Sequence, residues 1–106
     1  MALSGLNMLM LYTEDTYQLP GEPMFGYGRG PYALEEVQAI DAYAADLGIK
    51  VIPCIQVLGH LEQILKWRGA YGAVRDTLRV LLVDETETYA LIGKMIRFWS
   101  EAVRSR

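Results

Sequence analysis

His60 is the only histidine in this 106-residue chain, and it follows Gly59, a few residues after the apolar run Val51, Ile52, Cys54, Ile55. Imidazole is the one side chain whose ordinary pKa lies between pH 5 and 8, so His60 is the first candidate for handling a proton. Glu14 and Asp15 stand side by side at the end of another apolar run, and Asp84 and Glu85 form a second acidic pair. A carboxylate can orient an imidazole or accept hydrogen bonds from a ligand, so the pairs and the histidine together suit acid–base chemistry. Arg29, held between Gly28 and Gly30, brings donors for ligand oxygens; Gln56 brings an amide; Tyr27 and Trp67 bring flat apolar rings. Each also has a plainer reading. These are a structural hydrogen bond for His60, a solvated strand end or a cap for Glu14 and Asp15, exposure for Arg29, packing for the two rings, and capping for the second acidic pair.

The elements that must position these residues follow from the pattern. Residues 6–12 and 51–55 are apolar runs of strand length, and residues 34–47 place Val37, Ile40, Ala44 and Leu47 at helical spacing before Gly48. Strand, helix and strand in that order describe a parallel α/β unit, in which ligands gather at the carboxyl ends of the strands. Glu14, Asp15 and His60 all follow such ends. Between the first strand and the helix, residues 18–32 are rich in proline and glycine and form a long loop on that same side. The helix start at Ala33 lacks a hydroxyl or carboxylate cap.

Downstream, Leu61, Ile64 and Leu65 predict a short helix ending near Trp67, and residues 68–77 read as a loop. Residues 78–83 stand as either a short strand or an apolar loop. Asp84 with Glu87 fits a capping box for a last helix carrying Tyr89, Ile92, Met95, Ile96, Trp99 and Val103 on one face. Arg104 and Arg106 then complement the helix C-terminus.

Composition narrows the class. A net charge of -3 without blocks of like charge argues for neither nucleic acid nor a membrane surface as partner. The single Cys54 excludes an intrachain disulfide framework; a packed thiol and a nucleophile are its two readings. No apolar run reaches membrane-spanning length, and the start lacks a basic leader region, so a cytoplasmic location is expected. No metal or cofactor motif is present. The 106 residues make one domain, whereas a complete (β/α)8 barrel needs about 250 residues.

The ordered series LYTEDTY (residues 11–17), FGYGRGPY (residues 25–32), ADLGI (residues 45–49) and IPCIQVLGHLE (residues 52–62) resembles glycoside hydrolase family 20, the β-N-acetylhexosaminidases. The likeness falls on their second and third βα units and extends over essentially the whole chain. It implies a partial TIM barrel, a β-α-β-α(-α) fragment with parallel strands, and an N-acetylhexosaminide or other carbohydrate as substrate. It further implies substrate-assisted hydrolysis, in which the sugar's own acetamido oxygen attacks the anomeric carbon. On this likeness His60, Glu14 and Asp15 are the catalytic candidates. Glu14 would orient His60, and His60 would face the acid/base glutamate. Arg29, Tyr27, Gln56 and Trp67 would bind the sugar. The chain departs from the pattern at Glu14, where most of the family has aspartate, and at Gln56, where one branch has a carboxylate. The strands that carry the acid/base pair and a sugar-clamping arginine are not among these residues. Asp84 and Glu85 align with the start of the last helix, not with that pair. A two-stranded parallel unit leaves both sheet edges unpaired, so a homo-oligomer is expected.

Overall fold

The computed structural model describes residues 1–104. After a single 3₁₀ turn, Ala2–Ser4, the elements are β1 (Met8–Tyr12), α1 (Leu34–Asp46), β2 (Lys50–Cys54), α2 (Glu62–Leu65), α3 (Arg68–Tyr71), a 3₁₀ turn (Gly72–Val74) and α4 (Thr86–Ala102). β1 and β2 pair in parallel, Met8 opposite Lys50 through Tyr12 opposite Cys54, as a two-stranded sheet. Parallel neighbours need a crossover, and here residues 13–49 supply it as a long loop followed by α1.

Side chains alternate across a strand, so β1 has two different faces although all five of its residues are apolar or aromatic. Leu9 and Leu11 turn toward the helices and pack against buried residues including Val51, while Met8, Met10 and Tyr12 remain exposed. The main core lies on the helix side. Tyr17, fully buried, touches Phe25, Phe98 and Trp99 with ring centroids 4.9, 4.8 and 5.2 Å away. These offset and edge-on contacts add roughly 0.5–1.5 kcal/mol per pair to the burial itself. α4 supplies Leu91, Met95, Phe98, Trp99 and Ala102 to the core, and α1 supplies Val37. Its end is tied back to α1 by the Arg104 amide donating to Asp41 Oδ2 (2.9 Å) and by Gln38 Nε2 donating to the Glu101 carbonyl (3.1 Å).

Several expectations need correction. The second strand begins one residue earlier than the apolar pattern predicts, at Lys50, whose amide bonds Asn7 O at 2.8 Å. Residues 68–74 are helical turns instead of loop, closed by Ala70 and Tyr71 amides donating to the Trp67 carbonyl. Of the two readings left open for residues 78–83, the loop is the one observed, with a lone antiparallel bridge joining Leu81 to Arg75. The capping box at Asp84 and Glu87 does not form. Asp84 lies one position before the N-cap residue Glu85, in left-handed backbone (φ 59°), and its carboxylate accepts from the Tyr89 hydroxyl. The buried face of α4 is also rotated from the expected one: Tyr89 and Ile96 are exposed, and Leu91, Phe98 and Ala102 are inside. Arg106 lies outside the described residues. At α1 the Ala33 position indeed has no side-chain cap, and Glu36 compensates by accepting from the Ala33 amide at 2.7 Å.

Candidate functional site

The parallel register brings the ends of β1 and β2 to one edge, and the residues following them diverge sharply in character. After Tyr12 the chain turns tightly: the Thr16 amide and hydroxyl both donate to the Thr13 carbonyl, at 2.8 and 2.7 Å. Glu14 sits at the crest in left-handed backbone (φ 48°) and Asp15 is directed inward, 1% exposed. A non-glycine residue in that region costs on the order of 1 kcal/mol, so the surrounding structure must hold it there.

Arg29 does much of the holding. Its Nη1 lies 3.4 Å from Glu14 Oε2 and 3.3 Å from Asp15 Oδ1, so one guanidinium spans both carboxylates. The other Glu14 oxygen accepts from the Tyr12 hydroxyl at 3.1 Å, and the Gln56 side chain, two residues past β2, lies near the same hydroxyl. Desolvation first, and then the Glu14 carboxylate, raise the Tyr12 phenol above its ordinary value and keep it a donor. Burial raises the Asp15 carboxyl above the usual carboxylate range, and Arg29 opposes that shift.

The loop that delivers Arg29 depends on Gly26. Its φ is 72°, and a Cβ there would lie 2.6 Å from the Asp15 carbonyl oxygen and 2.8 Å from Pro31 Cβ. Only glycine lets the loop pass so close to the Asp15 backbone. The next residue, Tyr27, meets Trp67 edge-on with centroids 5.6 Å apart, and Lys66 Nζ lies 5.2 Å from the Trp67 ring centre. Tyr27 and Trp67 therefore form one aromatic pair, with the Tyr27 ring largely exposed.

His60 is different. It too has left-handed backbone (φ 58°), but it is exposed, and among the described residues no hydrogen bond or ion pair joins its imidazole to Glu14, Asp15 or any other group. Glu14 spends its acceptors on Tyr12 and Arg29 instead. Cys54 is half-buried. Among the described residues no three His, Cys, Asp or Glu side chains converge as a metal-binding set. A groove of about 540 Å³ lies between the first turn of α1 and α4, and none of the seven candidate residues lines it. A smaller one of about 310 Å³ runs beneath the Arg29 loop along Phe25, Gly26 and Tyr27.

Tyr12 and Gly26 escaped the sequence reading. Tyr12 had a usable signal, since residues two apart on an extended chain share a side and its ring therefore approaches Glu14. Gly26 had none beyond being one of several loop glycines.

The described geometry, a parallel strand pair with its crossover helix and a polar cluster at the carboxyl edge, is that of part of a (β/α) barrel. The structure superposes on a crystal structure of a beta-N-acetylhexosaminidase with a TM-score of 0.77 at 19% identity, over 96% of this chain and 28% of that one. In sequence the chain is 30% identical over 95 residues to Hexosaminidase D of Homo sapiens, a match covering 87% of this chain. The chain spans only 19% of the length of that relative. No protein-family profile matches the chain. Fold and sequence together mark a hexosaminidase-like fragment with a partial α/β barrel fold.

Proposed function

We propose that the 106 residues act as a single partial-barrel domain that carries one side of a hexosaminidase-type glycoside hydrolase site and takes a terminal N-acetylhexosamine. The observation that supports this best is the Arg29 bridge to Glu14 and Asp15 at the carboxyl end of β1. A guanidinium balanced by two carboxylates offers both donors and acceptors without a net charge strong enough to select an ion, which suits sugar hydroxyls. The exposed Tyr27 ring, backed by Trp67, offers an apolar surface to a pyranose. Gln56 adds an amide at the end of the second strand.

In this reading hydrolysis is substrate-assisted: the acetamido oxygen bonds to the anomeric carbon as the glycosidic bond breaks, and a general acid protonates the leaving oxygen. These residues bind and orient the sugar. His60, exposed and unbonded among the described residues, is free to hydrogen-bond the acid/base carboxylate, and Glu14 and Asp15 hold Arg29 at the sugar-facing edge. The general acid itself comes from outside these 106 residues. The chain by itself is therefore expected to bind without turnover, because the strand to which the family likeness assigns the general acid is not among these residues. Assay of p-nitrophenyl N-acetyl-glucosaminide and galactosaminide, with a His60→Ala control for contaminating host enzyme, tests this. Turnover lost in His60→Ala would require a complete site in the chain. Weak sugar binding without turnover is the expected result, and absence of binding to either sugar contradicts the proposal.

A further inference from the structure

The loop between β1 and α1, residues 18–32, carries two charged side chains, Glu22 and Arg29, and they are fastened on opposite sides. Arg29 reaches back to Glu14 and Asp15 at the end of β1. Glu22 reaches the helices instead. Its Oε2 accepts from the Tyr71 hydroxyl at 3.0 Å, and its Oε1 accepts from Lys94 Nζ at 2.9 Å. One carboxylate thus ties the loop to α3 and α4 together, 49 and 72 residues further along the chain.

Tyr71 is 3% exposed, so its hydroxyl has to find an acceptor inside the fold. Burial first, and then the Glu22 charge, raise the phenol above its ordinary value, which keeps it a donor. A hydrogen bond onto a carboxylate is stronger than one between neutral groups, and Lys94 balances the Glu22 charge from the other side. The Glu22 backbone is engaged as well: its amide donates to the Leu19 carbonyl at 3.0 Å, and its carbonyl accepts from the Phe25 amide at 3.1 Å. Fixing this side chain therefore fixes the turn that leads into Phe25, Gly26 and the Arg29 segment.

The α3 segment touches the loop twice. Tyr71 meets Glu22, and Trp67, the residue that opens the same helix, meets Tyr27 edge-on. The Tyr71 amide donates to the Trp67 carbonyl at 2.9 Å, so the two contact points keep a fixed offset. We infer that Glu22 is a positioning residue for the sugar edge: held by Tyr71 and Lys94, it sets the loop so that Tyr27 lies against Trp67 while Arg29 spans the two carboxylates. The inference rests on the sugar-binding reading for its ligand, and on contacts within the chain for the anchor.

Amide hydrogen exchange of the full chain measures the anchor without sugar. The Arg29 amide donates to the Gly26 carbonyl at 3.0 Å, so its exchange reports the order of the loop, with the α1 amides as internal reference. Glu22→Ala is expected to speed exchange at Arg29 at least about fivefold, to leave the α1 amides unchanged, and to weaken binding of N-acetylglucosamine and N-acetylgalactosamine by a similar factor. Glu22→Gln, whose amide oxygen still accepts from Tyr71, should restore most of both. If Glu22→Ala does not fold, Tyr71→Phe, which removes only the donor, should speed exchange at Arg29 in the same way. Unchanged exchange at Arg29, exchange that rises equally along α1, or sugar binding that survives Glu22→Ala would each overturn the inference. Absence of sugar binding by the native chain, with exchange at Arg29 as expected, would defeat the sugar reading and leave the anchor standing.

Discussion

The ends of β1 and β2 lie side by side, and each bears a non-glycine residue in left-handed backbone, yet they are built on opposite plans. After β1, Glu14 is locked by Tyr12 and Arg29, Asp15 is buried, and Gly26 passes close beneath. After β2, His60 is exposed, and among the described residues its imidazole makes no hydrogen bond or ion pair. In a site that grips a ligand on one side and moves a proton on the other, the gripping groups gain from being fixed in advance, because ordering them is already complete when the ligand arrives. On the proposed reading His60 is the proton-handling side, and among the described residues no side chain bonds its imidazole. The β1 end is fixed by side-chain contacts; the β2 end presents an exposed imidazole.

The largest effect should come from disturbing the β1 end at its tightest point. Gly26→Ala forces a Cβ toward the Asp15 carbonyl in a backbone region that disfavours side chains, so a loss of at least about 2 kcal/mol in urea unfolding is expected, together with loss of sugar binding. Arg29→Ala comes next. It leaves the buried Asp15 carboxylate without its cation, and a loss of about 1–2 kcal/mol at pH 7 is expected, discounted for the one-third exposure of Arg29. An unchanged midpoint would mean that the bridge does not hold the loop.

The pH dependence of Asp15 sharpens the comparison further. Its folded pKa is raised, chiefly by burial, so the folded state holds this proton more tightly than the unfolded chain does. Stability from this group is therefore greatest below the unfolded value and declines as pH rises through the raised folded one. Asp15→Asn should remove that decline, so its melting temperature relative to the native chain improves from pH 4 to pH 7. A relative melting temperature that falls over this range would mean that the Arg29 attraction outweighs burial. The smallest effect belongs to the β2 end. His60→Gly relieves the left-handed backbone and breaks no hydrogen bond or ion pair of the imidazole among the described residues, so a gain of about 0.5–1 kcal/mol is expected, with sugar binding retained.

The strands, the crossover helix and the position of the acidic pair were legible because they depend on local pattern: apolar runs of strand length, helical spacing over α1, and polar residues immediately after each run. What was hidden depends on choices that tertiary packing makes. α4 carries two apolar stripes, and the contacts of Phe98 and Trp99 with Tyr17 decide which one is buried. Asp84 looks like a helix cap, but its left-handed backbone shifts the start of α4 by one residue beyond it. The role expected of Glu14, orienting His60, was read from a family likeness; in the structure Arg29 and Tyr12 occupy its oxygens. Arg29 is indeed exposed, but its pairing with Glu14 and Asp15 was hidden, because nothing local in GRG reveals a carboxylate pair many residues upstream.

The most direct test of the central claim, that the edge formed by Tyr12, Glu14, Asp15, Arg29 and Gln56 receives the sugar, is a titration of the ¹⁵N-labelled chain with N-acetylglucosamine and N-acetylgalactosamine followed by amide NMR. Shifts concentrated at Glu14, Asp15, Tyr27, Arg29 and Gln56, and abolished by Arg29→Ala, are the expected result. Shifts confined to the groove between α1 and α4 around Leu34 and Phe98, or none with either sugar, would contradict it.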